Sequence, residues 1–365
     1  MKVTSSSCHP LSSSEPLLVH HVIVGVLLIL TGCQQTNPLL NWDPQSENLA
    51  GLRLIVEAEG VDFDAYPYGN NEVLFTSTRA DNLDVYLASL DGGVGATQMT
   101  TGSGVDIFGT AHPDGQQFVF LSDWAGGSNL YYYLGERGKP TAKSLVAVAE
   151  PAVGSWKPAQ ISPDGKTLLY TSGTIWTYDM DNGEKVQLVE GYDADWHPDG
   201  QRIVFTRVAR NSGGITTTSI WVMNADGTDI TEIVPGGDEV SVSHPRISPD
   251  GQRISYERAT VHRRFNLVRS QGPVGELRSL SDADIWIANI DGTGATQLTT
   301  HPMADARPNW VDDRRLVFSS ERPVSGDPKD RDWNIWMLEL QSRTVNRKAR
   351  VLIPMEGVLQ NETTW

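Results

Sequence analysis

Short apolar segments that end in an aromatic residue recur along most of this chain. In each segment an aliphatic residue precedes Tyr or Trp, and the segments return about every 45 to 65 residues, as in a repeat protein. The six copies are Val85-Tyr86, Leu130-Tyr131, Ile175-Trp176, Ile220-Trp221, Ile285-Trp286 and Ile335-Trp336. Alternation of apolar and polar positions is typical of half-buried β-strands, so the pattern predicts six repeats of short strands.

A Pro-Asp-Gly corner precedes most of these segments, and Phe or Tyr follows seven residues after the Pro. Pro presets φ, Asp caps the turn with its side chain, and Gly takes the position with positive φ, so the chain reverses between two strands. The corners are Pro113-Asp114-Gly115, Pro163-Asp164-Gly165, Pro198-Asp199-Gly200 and Pro249-Asp250-Gly251, with degenerate copies at Tyr66-Pro67-Tyr68-Gly69 and Val311-Asp312-Asp313.

Asp-Gly or Asn-Gly turns follow the Trp/Tyr strands, for example at Asp226-Gly227 and Asp291-Gly292, and a short outer strand comes next. Each unit thus supplies four antiparallel strands. One unit cannot bury both faces of so small a sheet, and the aromatic residues are expected to pack between neighbouring sheets. The sequence predicts an all-β protein, a six-bladed β-propeller of four-stranded antiparallel blades.

The order Ser-Pro-Asp-Gly, Phe, Ile-Trp, Asp-Gly, Gln-Leu-Thr resembles the TolB-type β-propeller repeat over roughly residues 61–356. That family includes the periplasmic component of the Tol–Pal envelope system, gating propellers of peptidases and oligogalacturonate lyases. The resemblance implies the propeller fold but does not transfer a partner set. Segment 52–57 is expected to close the ring as the outer strand of blade six, since closure removes exposed strand edges, and the alternative is closure by residues 362–365 as an inner strand.

The N-terminal segment reads as an export signal. An apolar run over residues 22–30 ends in Leu30-Thr31-Gly32-Cys33, too short to span a bilayer, and this ending resembles a bacterial lipobox. The division expected is a lipoprotein signal peptide at 1–32, a tether at 33–51 and the propeller at 52–365, with Cys33 lipidated. An ordinary cleaved signal is the alternative. The membrane is then contacted through the lipid only.

Charge narrows the range of partners. Lys and Arg number 29 against 45 Asp and Glu, a formal net charge of −16, so nucleic acid and anionic lipid surfaces are repelled. With Cys8 removed with the signal, the mature chain has one Cys and forms no internal disulfide.

No catalytic signature stands out. The chain has no Gly-x-Ser-x-Gly motif, and we expect no catalytic residue, cofactor or metal. His112 and His197 replace Ser at corners and read as turn residues. His244 and His301 lie on segments that join blades and not at corners. For these two residues the alternative is a metal site, as in the lyase relatives.

Acidic residues on the inner strands are candidates for partner binding. Inner strands line the channel of a propeller, where converging carboxylates attract a cation or a Lys or Arg of a partner. The candidates are Asp62, Asp64, Asp193, Asp195 and Asp305.

An insertion in blade five, residues 258–282, is the clearest departure from the repeat. It holds five Arg against two acidic residues, with apolar residues between them, and blade six has a smaller counterpart at 322–332. Loops this long in a compact repeat are usually functional or disordered. We expect Arg263, Arg264, Phe265 and Arg269 to bind a partner.

The function expected is an exported, lipid-anchored propeller of the cell envelope, facing the periplasm from the outer membrane or lying at the cell surface. Its partner is expected to be an envelope protein or peptide. The alternative is a carbohydrate-active enzyme or sugar-binding protein, with Trp124 and Trp333 as stacking surfaces.

Overall fold

A computed structural model describes the body of the chain. The described residues are 51–56, 60–80, 82–92, 95–124, 130–139, 141–148, 157–210, 216–237, 239–260, 282–324 and 332–340. All regular elements in these ranges are β-strands, and they include no helix that is long and apolar enough to cross a membrane. The expected signal peptide and all but the last residue of the tether lie outside them.

Within the described residues, 24 strands form six antiparallel sheets of four strands each, which confirms the predicted fold class. From the axis outwards, blade one contains β2 (Asp62–Tyr68), β3 (Glu72–Ser77), β4 (Asp84–Ser89) and β5 (Thr97–Gln98). Blade two contains β6 (Asp106–Ala111), β7 (Gln117–Ser122), β8 (Leu130–Glu136) and β9 (Lys143–Val148). Blade three contains β10 (Gln160–Ile161), β11 (Thr167–Ser172), β12 (Thr174–Asp179) and β13 (Lys185–Gln187).

The other three blades repeat this order. Blade four contains β14 (Tyr192–Trp196), β15 (Arg202–Arg210), β16 (Thr216–Asn224) and β17 (Thr231–Val234). Blade five contains β18 (Val240–Ile247), β19 (Arg253–Thr260), β20 (Asp284–Asn289) and β21 (Thr296–Gln297). Blade six contains β22 (Asp305–Trp310), β23 (Arg315–Ser320), β24 (Asn334–Glu339) and, outermost, β1 (Leu52–Val56).

The ring closes through the N-terminal strand, as the sequence predicts. β1 pairs antiparallel with β24, with Leu52 opposite Leu338 and Leu54 opposite Trp336. The first and last strands of the propeller therefore share one sheet, and neither blade one nor blade six is left as a free end.

An aromatic pair crosses from the second to the third strand of every blade. The pairs are Phe75–Tyr86, Phe120–Tyr133, Tyr170–Trp176, Phe205–Trp221, Tyr256–Trp286 and Phe318–Trp336. In blade two the third-strand member is Tyr133, so the prediction of Tyr131 is wrong. Tyr131 lies opposite Ser122 instead. A shift of two residues keeps a side chain on the same face of a strand, and three consecutive Tyr residues hide that shift in the sequence.

The second-strand members of these pairs form the core of the blades. None of the six is more than 4% exposed, and Phe75, Phe205 and Phe318 are 0% exposed. Burying a side chain of this size stabilises the fold by roughly 1.5–3 kcal/mol. The pairs also join blades, since Phe75 of blade one shares a cluster with Val317 and Ile335 of blade six.

The Pro-Asp-Gly corners form the predicted reversals. At the corner of blade two, the N–H of Gly115 donates to the carbonyl of His112 at 3.0 Å, and the φ of Gly115 is +68°. The ring Nε2 of His112 lies 3.0 Å from the carbonyl of Gly165 in blade three. His197 of blade four contacts Gly251 of blade five in the same way, at 3.1 Å. Both His residues act at corners and join adjacent blades.

The corner of blade one differs from the degenerate copy expected there. Pro67 lies inside β2, opposite Val73, and the reversal follows Tyr68, which pairs with Glu72. Gly69 supplies the positive φ of +60°. This corner is one residue shorter than the others, so an alignment on Pro-x-Gly misplaces it.

Candidate functional site in the central channel

A β-bulge interrupts the inner strands of five blades, and one residue in each bulge has a left-handed backbone. These residues are Asp64 (φ 57°), Phe108 (60°), Asp193 (51°), His244 (51°) and Arg307 (55°). The equivalent residue of blade three is Pro158, whose ring fixes φ at negative values. A non-glycine residue in this region costs of order 1–3 kcal/mol, and bulges redirect side chains, often beside functional sites.

Hydrogen bonds from the preceding blade hold three bulge residues in place. Their backbone N–H groups donate to the second-strand side chains Thr76 (from Phe108, 3.0 Å), Ser319 (from Asp64, 2.9 Å) and Glu257 (from Arg307, 2.5 Å). The residue of blade two at this second-strand position is Leu121, and the bulge residue that follows it, Pro158, has no N–H to donate. A polar side chain at this position thus accepts the N–H of the next bulge residue at three joints, and the apolar Leu121 precedes the bulge residue that has no N–H.

Charged side chains meet where these bulges converge. Asp193 Oδ2 lies 3.5 Å from Lys157 Nζ and 3.2 Å from His244 Nε2, and all three residues are at most 4% exposed. His244 Nδ1 lies 3.0 Å from Glu257 Oε2. Neither nitrogen of His244 forms a well-aligned hydrogen bond.

The network continues around the ring. Arg307, 1% exposed, places Nη1 3.3 Å from Asp64 Oδ1 and its guanidinium carbon 5.1 Å from the ring centre of Phe108. Through Glu257, which accepts the Arg307 N–H, the charged groups form one chain from blade three to blade one. Five of the six blades contribute a charged side chain to it.

The carboxylates of Asp193 and Glu257 are held in their ionised form. Burial opposes ionisation of Asp193, but the nearby charges of His244 and Lys157 outweigh it and lower the pKa of Asp193 to about 2. The pKa of Glu257 is also lowered, because His244 and Arg307 outweigh the effect of burial. At these two positions opposite charges face each other, whereas burial raises the pKa of Asp195 in the same channel.

A second layer lies two residues further along the inner strands. Arg246 donates from Nε to Asn309 Oδ1 at 3.0 Å, and Asn309 donates to the carbonyl of Ala65 at 2.7 Å. Asp195 accepts the N–H of Ile247 at 2.9 Å. Gln160 occupies this layer in blade three, is 1% exposed, and neither its amide oxygen nor its amide nitrogen has a hydrogen-bond partner.

The structure brings three of the predicted acidic residues together at the axis. Asp64 and Asp193 are each paired with a cation of this chain, and Asp195 lies in the layer of Arg246. Asp62 and Asp305 begin their strands and pair with Arg79 and Arg322. The channel is thus more nearly neutral than its acidic residues alone indicate.

The cations of the channel are what sequence reasoning missed. Lys157, Arg246 and Arg307 are buried, and so is Glu257, which stands where sister blades have Thr, Ser or Leu. The sequence does contain a signal for these positions. Asp193, His244 and Phe108 each lie five residues before the Pro of their corner, so an alignment of the repeats on the corner predicts the ring of bulge residues.

The other predicted positions divide into two groups. Arg263, Arg264, Phe265 and Arg269 lie outside the described residues, as does Cys33. Trp333 is 2% exposed, which rules it out as an exposed stacking surface for a sugar. Among the described residues, no group of three or more His, Cys, Asp or Glu is placed to hold a metal ion.

Comparison with known proteins shows likeness to TolB proteins, in sequence over part of the chain and in fold over most of it. No family model matches the chain. The Tol-Pal system protein TolB of Anaeromyxobacter dehalogenans (strain 2CP-C) is 31% identical over 138 residues, which are 37% of this chain and 26% of that protein. The match therefore spans about a quarter of the length of that relative.

Solved structures extend the likeness over most of the described body. TolB from Acinetobacter baumannii superposes with a TM-score of 0.54 at 20% identity, covering 71% of this chain and 59% of that one. A TolB structure from Agrobacterium tumefaciens superposes with a TM-score of 0.55 at 18% identity, covering 80% of this chain and 94% of that one. At these identities the superpositions establish the shared fold.

Proposed function

The chain is a TolB-like six-bladed β-propeller, and from this premise we propose that it is an envelope protein-binding module held at the membrane by a lipid on Cys33. The relative from Anaeromyxobacter dehalogenans is named as a protein of the Tol–Pal system, which supports a protein partner in the envelope. The lipobox-like ending of the apolar run at Cys33 supports the anchor.

The proposed binding face is the one on which the inner strands begin. Asp62, the first residue of β2, lies opposite Ser77, the last residue of β3, and the same pairing of ends recurs for Asp106 and Ser122. The connections between second and third strands therefore leave from the end of the channel that holds the ring of bulges. The longest of them, between β19 and β20, includes the Arg-rich insertion.

Gln160 is the observation that carries the proposal. A buried amide without a partner costs about 1–3 kcal/mol per unsatisfied group. Its side chain offers one acceptor and two donors, the complement of a peptide group. We infer that a segment of the partner enters this end of the channel and pairs with Gln160, while the insertion contacts the partner outside.

The insertion contributes a different chemistry. Arg residues bind carboxylates through a planar fork and pack apolar surface with their stems, which suits interfaces. In a chain of −16 they also steer an acidic partner to this face. Arg263, Arg264 and Arg269 with Phe265 are proposed as this contact.

The test is capture of partners by the tagged full-length protein from detergent-solubilised membranes, read by mass spectrometry. Three variants are compared with wild type: Gln160→Leu, the triple change of Arg263, Arg264 and Arg269 to Ser, and a control triple that changes exposed Arg137, Lys139 and Arg314 to Ser. The control alters net charge equally but on the blades, where these side chains are 43%, 59% and 60% exposed.

We expect the Gln160→Leu variant and the insertion triple variant to lose capture of the same partner. The control triple variant should capture it as wild type does. Thermal melting should show that Gln160→Leu is at least as stable as wild type, because an unsatisfied buried amide is removed. Equal loss with both triples would assign the effect to overall charge, and unchanged capture by Gln160→Leu would contradict binding in the channel.

A further inference from the structure

Three blades begin their inner strand with a fully buried Asp. These residues, Asp62, Asp106 and Asp305, are each 0% exposed. In blade one, Arg79 Nη2 lies 2.8 Å from Asp62, and in blade six Arg322 contacts Asp305 through Nε at 3.1 Å and Nη2 at 2.5 Å. A buried carboxylate in these two blades therefore has a guanidinium beside it.

Blade two has no Arg at this place. Arg79 comes two residues after Ser77, the last residue of β3, and the residue two positions after Ser122, the last of β7, is Trp124. Blade two thus keeps the buried carboxylate, Asp106, but has Trp124 in place of the Arg.

Trp124 fills the position that the guanidinium takes in blade one. Arg79 stacks on the cross-strand aromatic pair of its blade, 5.0 Å from each ring centre. Trp124 packs on the equivalent pair of blade two, 5.5 Å from Phe120 and 5.3 Å from Tyr133. The indole satisfies the packing but brings no positive charge to Asp106.

The groups around Asp106 do not replace that charge. Its carboxyl faces the hydroxyls of Ser122 and Thr100 and the carboxylates of Asp84 and Asp123, and neither of its oxygens has an aligned hydrogen bond. Thr100 already donates its one hydroxyl proton to Asp84, at 3.2 Å. Burial raises the pKa of Asp106 to about 7 and outweighs the lowering effect of the Ser122 and Thr100 hydroxyls, and the carboxylates of Asp84 and Asp123 add to the increase.

The joint between blades five and six provides a matched comparison. There the Thr299 hydroxyl donates to the carboxylate of Asp284 at 3.4 Å, as the Thr100 hydroxyl does to Asp84. The N–H of Asp305 donates to the carbonyl of Ala283 at 2.8 Å. The N–H of Asp106 donates to the carbonyl of Leu83 in the same way. The two joints differ in the residue beside the carboxylate, which is Arg322 in one and Trp124 in the other.

We propose that Asp106 is a proton-operated latch between blades one and two, which keeps the joint closed while its carboxyl is protonated and loosens it on ionisation. An ionised, unpaired carboxylate needs water, and water reaches it only if the segment before β6 moves. That segment packs closely, since a Cβ on Gly104 would collide with Trp124, and the N–H of Val105 donates to Asp123 at 2.8 Å. The latch lies on the same face as the proposed binding site but does not depend on it.

The direction of the effect follows from proton linkage. Between about pH 4 and pH 7 the folded protein holds a proton on Asp106 that the unfolded chain has lost. This group therefore destabilises the fold as pH rises through that window, and the unfolding equilibrium constant gains up to tenfold per pH unit from it. Above pH 7 its effect levels off.

The experiment measures denaturant unfolding of the full chain from pH 5 to pH 8.5 for wild type, Asp106→Asn and Trp124→Arg. Asp106→Asn keeps the shape of a neutral carboxyl, and Trp124→Arg restores the pair of blades one and six. Both variants should gain stability relative to wild type as pH rises, by at least tenfold in the unfolding constant between pH 5 and pH 8.

Hydrogen exchange reports the joint itself. The protection factor of the Asp106 amide should fall between pH 6 and pH 8 in wild type but not in Asp106→Asn, while the equivalent amide of Asp305 should keep its protection in both. Parallel pH curves for wild type and Asp106→Asn, or equal loss of protection at Asp106 and Asp305, would overturn the proposal. If Trp124→Arg fails to fold, Asp106→Asn and the exchange data decide alone.

Discussion

Arg307 Nη1 lies 3.3 Å from Asp64 Oδ1, although 243 positions separate the two residues in the chain. Arg307 is on β22 of blade six and Asp64 is on β2 of blade one, the blades between which the ring closes. The outer side of the same seam is held by the pairing of β1 with β24. The propeller is thus closed by backbone hydrogen bonds outside and by an ion pair at the axis.

Breaking the inner closure should destabilise the fold strongly. Arg307→Ala leaves the carboxylate of Asp64 buried without its cation, and we expect a loss of about 3–5 kcal/mol in the free energy of unfolding. Glu339→Gln is the matched control, because it removes an exposed pair with Arg314 at 3.2 Å and should cost less than about 1 kcal/mol. Urea titrations measure both, and similar small losses would mean that the axis contributes no more than the surface.

The channel network should make the protein sensitive to acid. The pKa of Asp193 is lowered to about 2, so its stabilising effect is complete above about pH 4 and is lost as pH falls towards 2. Asp193→Asn should be less stable than wild type by about 2 kcal/mol at pH 7. That difference should shrink below pH 4. A constant difference in melting behaviour between pH 7 and pH 2 would show that the charge of Asp193 is not what stabilises the channel.

The third-strand aromatic residues should be structural. Trp221 lies opposite Phe205, and the guanidinium of Arg207 stacks 5.0 Å from its ring centre. Trp221→Ala should cost about 3 kcal/mol, at the lower end for a large aromatic because the side chain is half-buried. Val186→Ala, at a residue 47% exposed, serves as control and should change stability by about 0.5 kcal/mol or less. A Trp221→Ala protein that melts like wild type but loses its partner would identify Trp221 as a binding residue.

The proposed anchor is tested by fractionation. Cys33→Ser removes the thiol that would be acylated and should move the protein from the membrane to the soluble fraction. A high-salt wash distinguishes lipid anchoring from electrostatic adhesion, since salt screens the latter. Retention of Cys33→Ser on membranes after that wash would exclude the lipid as the anchor.

Much of the fold could be predicted because its signals are local. Two-residue alternation, Pro-Asp-Gly corners and the recurring Ile-Trp segments specify strands and reversals within about ten residues of chain. Six copies of such a unit then leave few architectures, and the apolar segment at Leu52–Val56 supplied the closing strand. Where the local signal was ambiguous, at Tyr131 and Tyr133 and at the short corner of Tyr68, the sequence prediction failed.

The sequence by itself determined the repeat, the class of fold and the acidic positions on the inner strands. Only the tertiary structure decided which charges meet. Lys157 reaches Asp193 from another blade, and Arg307 reaches Asp64 across the closed ring, so each pairing depends on the placement of whole sheets. The same holds for Asp106. Trp124 stands where blades one and six have Arg, and this leaves Asp106 without a cation only because packing places residue 124 beside the strand that begins at residue 106. Local patterns specify a strand, whereas the energy of a buried charge depends on neighbours that chain order does not reveal.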